Sequence, residues 1–283
     1  MTDTICQFLT PQVIRCLWHS LEPPAFCKDW HPSLQALSTN LEFIRPADEI
    51  MMMAFDLAKL RSQISSNQIS ETVALEMLND IVVRLDQWPM TTCCENERWQ
   101  YHDLQVEDSP HVWNGMVHAY TGLPVPSVWN SYRSLWLVVT KAKQNLSARL
   151  PVSDGAQVRR DSRFRAIKQQ MTDEICATIP CQLGHAYPAY TSLHVLVTAY
   201  NSIWPLLLAA QCAMERVEEC SRNRESLVSD RSERAGDSFS AAQAQMLWIF
   251  GRFDYISNSI GLRWANSLLH ALPGYCKARG VVL

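Results

Sequence analysis

Trp99, Tyr101, His102, His111, Trp113, His118 and Tyr120 crowd one stretch of the chain, and His185, Tyr187, Tyr190 and His194 crowd another. Rings with polar tips are what proteins use to wall a pocket for a semi-polar small molecule. The candidate ligand-binding set is therefore Trp113, His118, Tyr120, Trp129, Arg133, His185, Tyr190, His194 and Trp204. His118 and His194 are the candidate catalytic residues if the chain is an enzyme, because imidazole exchanges protons near neutral pH. On that reading the two ring-rich stretches converge on one cavity beside Pro205. The same rings can equally cover a helical core and hydrogen-bond their tips to the backbone. Trp129 and Arg133 stand four apart, on one face of a helix, beside Asn130. A buried arginine must be paired, so Arg133 is expected to reach a buried carbonyl or carboxylate; the alternative is a clamp for an anionic ligand.

Other chemistries lack their residues. None of the ten cysteines forms a Cys-x-x-Cys pair, the spacing that aims two thiolates at one tetrahedral zinc. Adjacent Cys93 and Cys94 with His102 and His111 point poorly at a single ion, so no metal is expected. There is no glycine-rich loop to cradle phosphate, no aspartate-rich magnesium motif and no Gly-x-Ser-x-Gly nucleophile turn. No cofactor is expected.

The elements that must position these residues read as helices. Val73, Met77, Leu78, Ile81, Val82 and Leu85, followed by Trp88, step by three and four, and Pro89 is expected to end that helix. From Ser127, a plausible N-cap, to Leu146 the stripe is Val128, Tyr132, Leu135, Trp136 and Val139. Residues 166–179 repeat at Ile167, Met171, Ile175 and Ile179, with Pro180 and Gly184 as the stop. From Leu193 to Met214 apolar residues are so dense that the helix is expected to be nearly buried, kinked at Pro205. Residues 221–240 read as a flexible polar loop, and helices at 241–255 and 259–272 close the fold. Residues 21–47 and 89–126 read as long irregular connections. No sustained strand alternation bounded by hairpin turns occurs. The expectation is an all-α protein, a single large helical domain over 1–283.

Length and composition fit that picture. At 283 residues, 47% hydrophobic and 19% charged, the chain has the balance of a globular protein with a sizeable core. A net charge of -3 argues against a polyanion partner. The basic run Arg159, Arg160, Arg163 and Arg165 is read as a solvated helix start. The cysteines show no disulfide framework, the N-terminus shows no secretory pattern, and the longest apolar run, Ile203 to Ala210, is too short for a bilayer. An intracellular protein, of nucleus or cytoplasm and without a membrane partner, is expected.

One segment carries more than periodicity. Glu174-Ile-Cys-Ala-Thr-Ile-Pro-Cys-Gln-Leu-Gly184 resembles the Glu-Ile-Cys-Ala-Ser-Val-Pro-(aromatic)-x-Leu-Gly signature in the regulatory domain of fungal binuclear zinc-cluster transcription factors, with Thr178 for serine and Cys181 for the aromatic. Leu57-Ala-Lys-Leu-Arg61, Leu85-Asp-Gln-Trp-Pro89, Val117-His-Ala-Tyr120, Val128-Trp-Asn-Ser-Tyr-Arg133, Ile203-Trp-Pro-Leu206 and Trp248-Ile with Ser259-Ile-Gly-Leu262 and Ala265 are similar to further pieces of that domain, in its order, over roughly residues 40–272. The chain departs from the family at its front, where Met1 begins almost inside the regulatory body with no DNA-binding zinc cluster. The resemblance implies a transcription-factor-like regulatory protein of a fungal metabolic or secondary-metabolite pathway. It would act through a protein partner, a homodimer or a small-molecule ligand, without direct sequence-specific DNA binding. The alternative is a cofactor-free isomerase or cyclase of a biosynthetic gene cluster on the same fold, since shaping a substrate needs no recognisable motif.

Overall fold

Apolar residues at helical spacing fold here as helices, and the computed structural model describes residues 12–24, 41–93, 97–122, 124–149, 154–186, 192–226 and 232–272. Among the described residues the fold is all-α apart from one small hairpin. After a helical stretch at 12–19 come α1 (Leu41–Ser65), α2 (Glu71–Cys93) and a 3-10 turn (Glu97–Trp99). Strands β1 (Tyr101–Gln105) and β2 (Met116–Tyr120) follow, then α3 (Pro124–Ser147), α4 (Asp154–Gln182), α5 (Ser192–Ser226), α6 (Ser232–Asn258) and α7 (Ala265–His270).

The chain folds as two compact units. One holds residues 1–100 and 134–167, the other 101–133 and 168–283, so the boundaries fall inside α3 and inside α4. In the first unit Ser70 precedes α2, and its hydroxyl accepts the Val73 amide at 3.3 Å, a side-chain cap on an otherwise unpaired donor. Its core face is Ala74, Leu78, Ile81, Leu85 and Trp88. Val73 and Met77, expected on that face, are exposed. Pro89 does not end the helix, which runs on to Cys93. Trp88 fastens this end by donating its indole N–H to the Pro46 carbonyl at 3.2 Å, and the Thr91 hydroxyl donates to the Trp88 carbonyl at 3.1 Å. A proline deletes one ladder bond, and a tethered helix can absorb that loss.

The second unit is built on α5 and α6. Ala199, Ile203, Leu206, Ala210 and Ala213 of α5 and Ala242, Met246, Ile249, Phe253 and Ile256 of α6 are buried, each set stepping by three and four. Gln245 of α6 donates to Asp173 of α4 at 2.6 Å, and Lys168 of α4 pairs with Glu215 of α5 at 3.1 Å. Residues Ser192–Arg222 of α5 have the length and composition of a membrane span, yet over half of their most apolar window is buried against the protein.

Several boundaries differ from the sequence expectation. α3 starts at Pro124, where a missing N–H costs nothing, so Ser127 is not its cap. α4 starts twelve residues before Ala166, which puts Arg159 to Arg165 inside the helix, mostly on its solvated face. Pro180 lies within α4, while Gly184, at φ +79°, ends it as expected. Residues 221–226 and 232–240 are helical rather than loop; 227–231 lie outside the described residues. α5 is not nearly buried. Its Leu193, Leu196, Val197 and Tyr200 are 66%, 38%, 40% and 45% exposed, because apolar density alone does not say which face has a partner.

The hairpin was not expected. Tyr101 pairs with Tyr120 and Gln105 with Met116 in antiparallel register. β1 is largely exposed while β2 is buried from Val117 to Tyr120. Its loop turns through Asp108, Asn114 and Gly115, all at positive φ, and closes with the Val106 amide on the Gly115 carbonyl at 2.8 Å. Asn and Gly reach that backbone region at low cost. A ten-residue connection hides the hairpin from any two-residue turn signal.

Candidate functional site

Arg133, on α3, is fully buried and sits in a lattice assembled from three elements of the second unit. Its Nε donates to Glu174 of α4 at 2.9 Å. One terminal nitrogen donates to Thr178 Oγ1 at 2.7 Å, to the Tyr120 hydroxyl at 3.0 Å and to Asn130 Oδ1 at 3.1 Å. The other lies 3.1 Å from His118 Nδ1. A guanidinium only donates, so Nδ1 of His118 accepts and the ring proton sits on Nε2, 3.5 Å from Asp103. Tyr120 donates to Thr178 at 2.9 Å, since the Thr178 hydroxyl spends its own proton on the Glu174 carbonyl at 3.0 Å. The lattice continues outward: Asn130 donates to Gln182 at 2.8 Å, and Gln182 to Ser127 at 3.3 Å.

Rings close the sides. The Arg133 guanidinium carbon lies 5.2 Å from the Tyr101 ring centre and 5.4 Å from that of Trp129, within cation–π range. Tyr101 packs on His118 at 4.3 Å and edge-on to Trp129 at 5.1 Å. The electrostatics follow from burial around one positive charge. Burial, reinforced by Arg133, depresses His118 to about 3, so its imidazole is neutral at physiological pH. Burial pushes Tyr120 up to about 12 against the opposing pull of Arg133. The phenols and Glu174 outweigh desolvation and hold Arg133 protonated. Every polar tip here has a partner, and a neutral, doubly occupied His118 is a poor acid or base at neutral pH.

Of the residues expected at a site, His118, Tyr120, Trp129 and Arg133 come together here. Trp113 and His185 belong to a second group: His185 stacks on His111 at 3.8 Å and 12°, Tyr255 of α6 lies 4.9 Å from His185, and Trp113 lies 6.2 Å from Trp248 of α6. Arg252 of α6 joins the two, 3.0 Å from His111 Nδ1 and 5.1 Å from the Trp248 ring centre. The ring-rich stretches therefore form two groups rather than one cavity. His194 is exposed near the start of α5, apart from His118, and Trp204 is half-buried further along that helix. Tyr190 lies outside the described residues, as do Cys94 and the side chain of Cys93. A groove of about 350 Å³ opens instead at the hairpin tip, lined by Glu107, Asp108, Ser109, Asn114 and Gly115 among others.

Sequence reasoning missed Glu174, Thr178 and Gln182 as the partners of Arg133 and Asn130, although their spacing of four puts them on one face of α4. It also missed Arg252, whose spacing from Trp248 and Tyr255 follows the helix but whose partners come from distant segments. The chain matches no known family profile, no curated protein and no solved structure.

Proposed function

We propose that this chain is a transcription-factor-like regulatory protein of the kind its sequence resembles, acting through contact with a protein partner in nucleus or cytoplasm, in a metabolic or secondary-metabolite pathway. One observation carries the reading. The two segments with the most specific resemblance, Val128 to Arg133 and Glu174 to Gly184, meet residue for residue, Arg133 with Glu174 and Thr178 and Asn130 with Gln182. A motif whose polar positions are consumed in holding two helices together is a motif of architecture, and function then lies on the surface it supports. The enzyme reading offers His118 and His194 as acid or base; the His118 ring is engaged at both nitrogens, and His194 is exposed near the start of α5.

The contact face is Leu193, Leu196, Val197 and Tyr200, at i, i+3, i+4 and i+7 on α5, with Trp264 set edge-on against Tyr200 at 5.8 Å. Its partner is an amphipathic helix with acidic flanks. No aspartate or glutamate occurs from Ile175 to Met214, and Arg263 lies beside Trp264, so the α5 stretch that carries this face has no acidic residue of its own. Anionic lipid asks for clusters of about four to eight basic residues, which this face lacks among the described residues.

Deletion of the gene is expected to lower transcripts of neighbouring pathway genes together. Constant transcripts with one accumulating intermediate would favour the isomerase or cyclase instead. Leu196→Asp is expected to reproduce the deletion with the protein still folded.

A further inference from the structure

Nine buried side-chain polar atoms have no hydrogen-bond partner among the described residues, and four of them lie in one place: Trp113 Nε1, His185 Nε2, Trp248 Nε1 and Arg252 Nε. Folded proteins leave few such atoms unpaired, because each costs about 1–3 kcal/mol. All four are nitrogens. Three of them carry a hydrogen whatever the protonation state, so the group is rich in donors and lacks acceptors. Arg252 makes no ion pair among the described residues; a terminal nitrogen lies 3.0 Å from His111 Nδ1, and Asp254 is engaged by Asn266 at 3.0 Å. Burial lowers the affinity of Arg252, His111 and His185 for protons, and Arg252 depresses both imidazoles further, His185 to about 4. A cation among donors and neutral rings has an uncompensated field.

We propose that this cluster is a binding site for a small aromatic carboxylate. The carboxylate would accept from Arg252 Nε and the indole N–H groups, the charge-assisted bonds that an unpaired guanidinium favours. Its ring would extend the stack of His111 on His185, at 3.8 Å, against Trp113, Trp248 and Tyr255. The arrangement is held from three directions. Trp248, Arg252 and Tyr255 share one face of α6, His185 follows Gly184 at the end of α4, and His111 and Trp113 ride on the hairpin loop, where the His111 amide donates to Ser109 Oγ at 3.3 Å. Phosphate would satisfy the donors but leave the rings idle. The site is independent of the face on α5, and a ligand here would give the proposed regulator a chemical input.

Isothermal titration of the full chain with sodium benzoate is the test, with benzamide and inorganic phosphate as probes of charge and of shape. One saturable benzoate site per chain is expected, with benzamide and phosphate each at least tenfold weaker. Arg252→Met is expected to weaken benzoate at least tenfold while the thermal melting temperature is retained, and Trp248→Leu to weaken benzoate but not phosphate. Absence of benzoate binding, equal binding by Arg252→Met, or phosphate equal to benzoate would each overturn the assignment. None of these results depends on what the α5 face binds.

Discussion

Arg133 and Arg252 lie in the same unit, each beside a tryptophan ring and each against a histidine whose basicity burial has lowered, yet they are opposites. Arg133 has a carboxylate, two hydroxyls, an amide oxygen and an imidazole nitrogen around it. Among the described residues Arg252 has one imidazole nitrogen and an Nε without a partner. Completeness of pairing, more than burial or aromatic company, separates a guanidinium that holds a fold from one ready to hold something else. A satisfied lattice has no capacity left for a ligand, and an unsatisfied one gains most from acquiring it.

The largest expected effect comes from breaking the complete site. Arg133→Met removes the cation and strands Glu174, Thr178 and Asn130, and loss of one partner of a buried pair costs about 3–5 kcal/mol. Glu174 keeps 22% of its side chain exposed and can turn to water, so the loss should fall toward the lower figure. Urea denaturation measures it. Adding Glu174→Met should recover part of the loss, since an apolar pair leaves no charge behind; a double variant less stable than the single would show that the ion pair is not what anchors the lattice.

Acid should weaken the same site. His118 titrates at about 3 in the fold against about 6.5 when unfolded. Above 6.5 both states are neutral and stability is fully present. As pH falls from 6.5 toward 3 the unfolded chain takes up a proton that the folded chain refuses, so stability declines, with a slope approaching about 1.4 kcal/mol per pH unit. His185, depressed to about 4, adds to the decline in the same direction. His118→Asn keeps an acceptor toward Arg133 and removes the titration; its stability between pH 6.5 and 4.5 should fall less steeply than that of the parent. Superimposable slopes would mean that His118 is protonated in the fold.

How far these sites could be read from the chain differs for physical reasons. Helices were legible wherever a stripe met a partner, as with Leu78, Ile81 and Leu85 or Met171 and Ile175, because burial imposes the 3.6-residue period. The exposed face of α5 misled, since Leu193 and Leu196 obey that period while staying exposed. The hairpin was illegible because β1 lies on the surface and its loop is long. Arg133 was recognisable as a paired arginine from its place beside Trp129 on an apolar helix. Arg252 was not, because its site forms only when His111, His185 and Trp248, far apart in sequence, are folded together.

One residue connects the two arginines. α4 carries Glu174 and Thr178 to Arg133 and, through Gly184, delivers His185 to Arg252. A Cβ at Gly184 would meet Val195 Cγ2 at 3.1 Å, on backbone at φ +79°. Gly184→Ala should therefore cost about 1–2 kcal/mol and weaken benzoate binding while leaving Arg133 paired. An undiminished benzoate affinity would detach His185 from the site.

The smallest effect on stability should come from the substitution that was costly at the other arginine. Arg252→Met removes a half-buried cation that lacks a carboxylate, so no charged partner is stranded; what is lost is one bond to His111 and a cation–π contact with Trp248, together about 1–2 kcal/mol. Against that, an unpaired guanidinium Nε no longer has to be kept from water, and methionine fits irregular space beside an indole. The terms nearly cancel, and a change within about 1 kcal/mol is expected in urea denaturation, several-fold smaller than at Arg133. A loss as large as that of Arg133→Met would mean that Arg252 is as tightly built into the fold, and the contrast between a closed and an open arginine would fail.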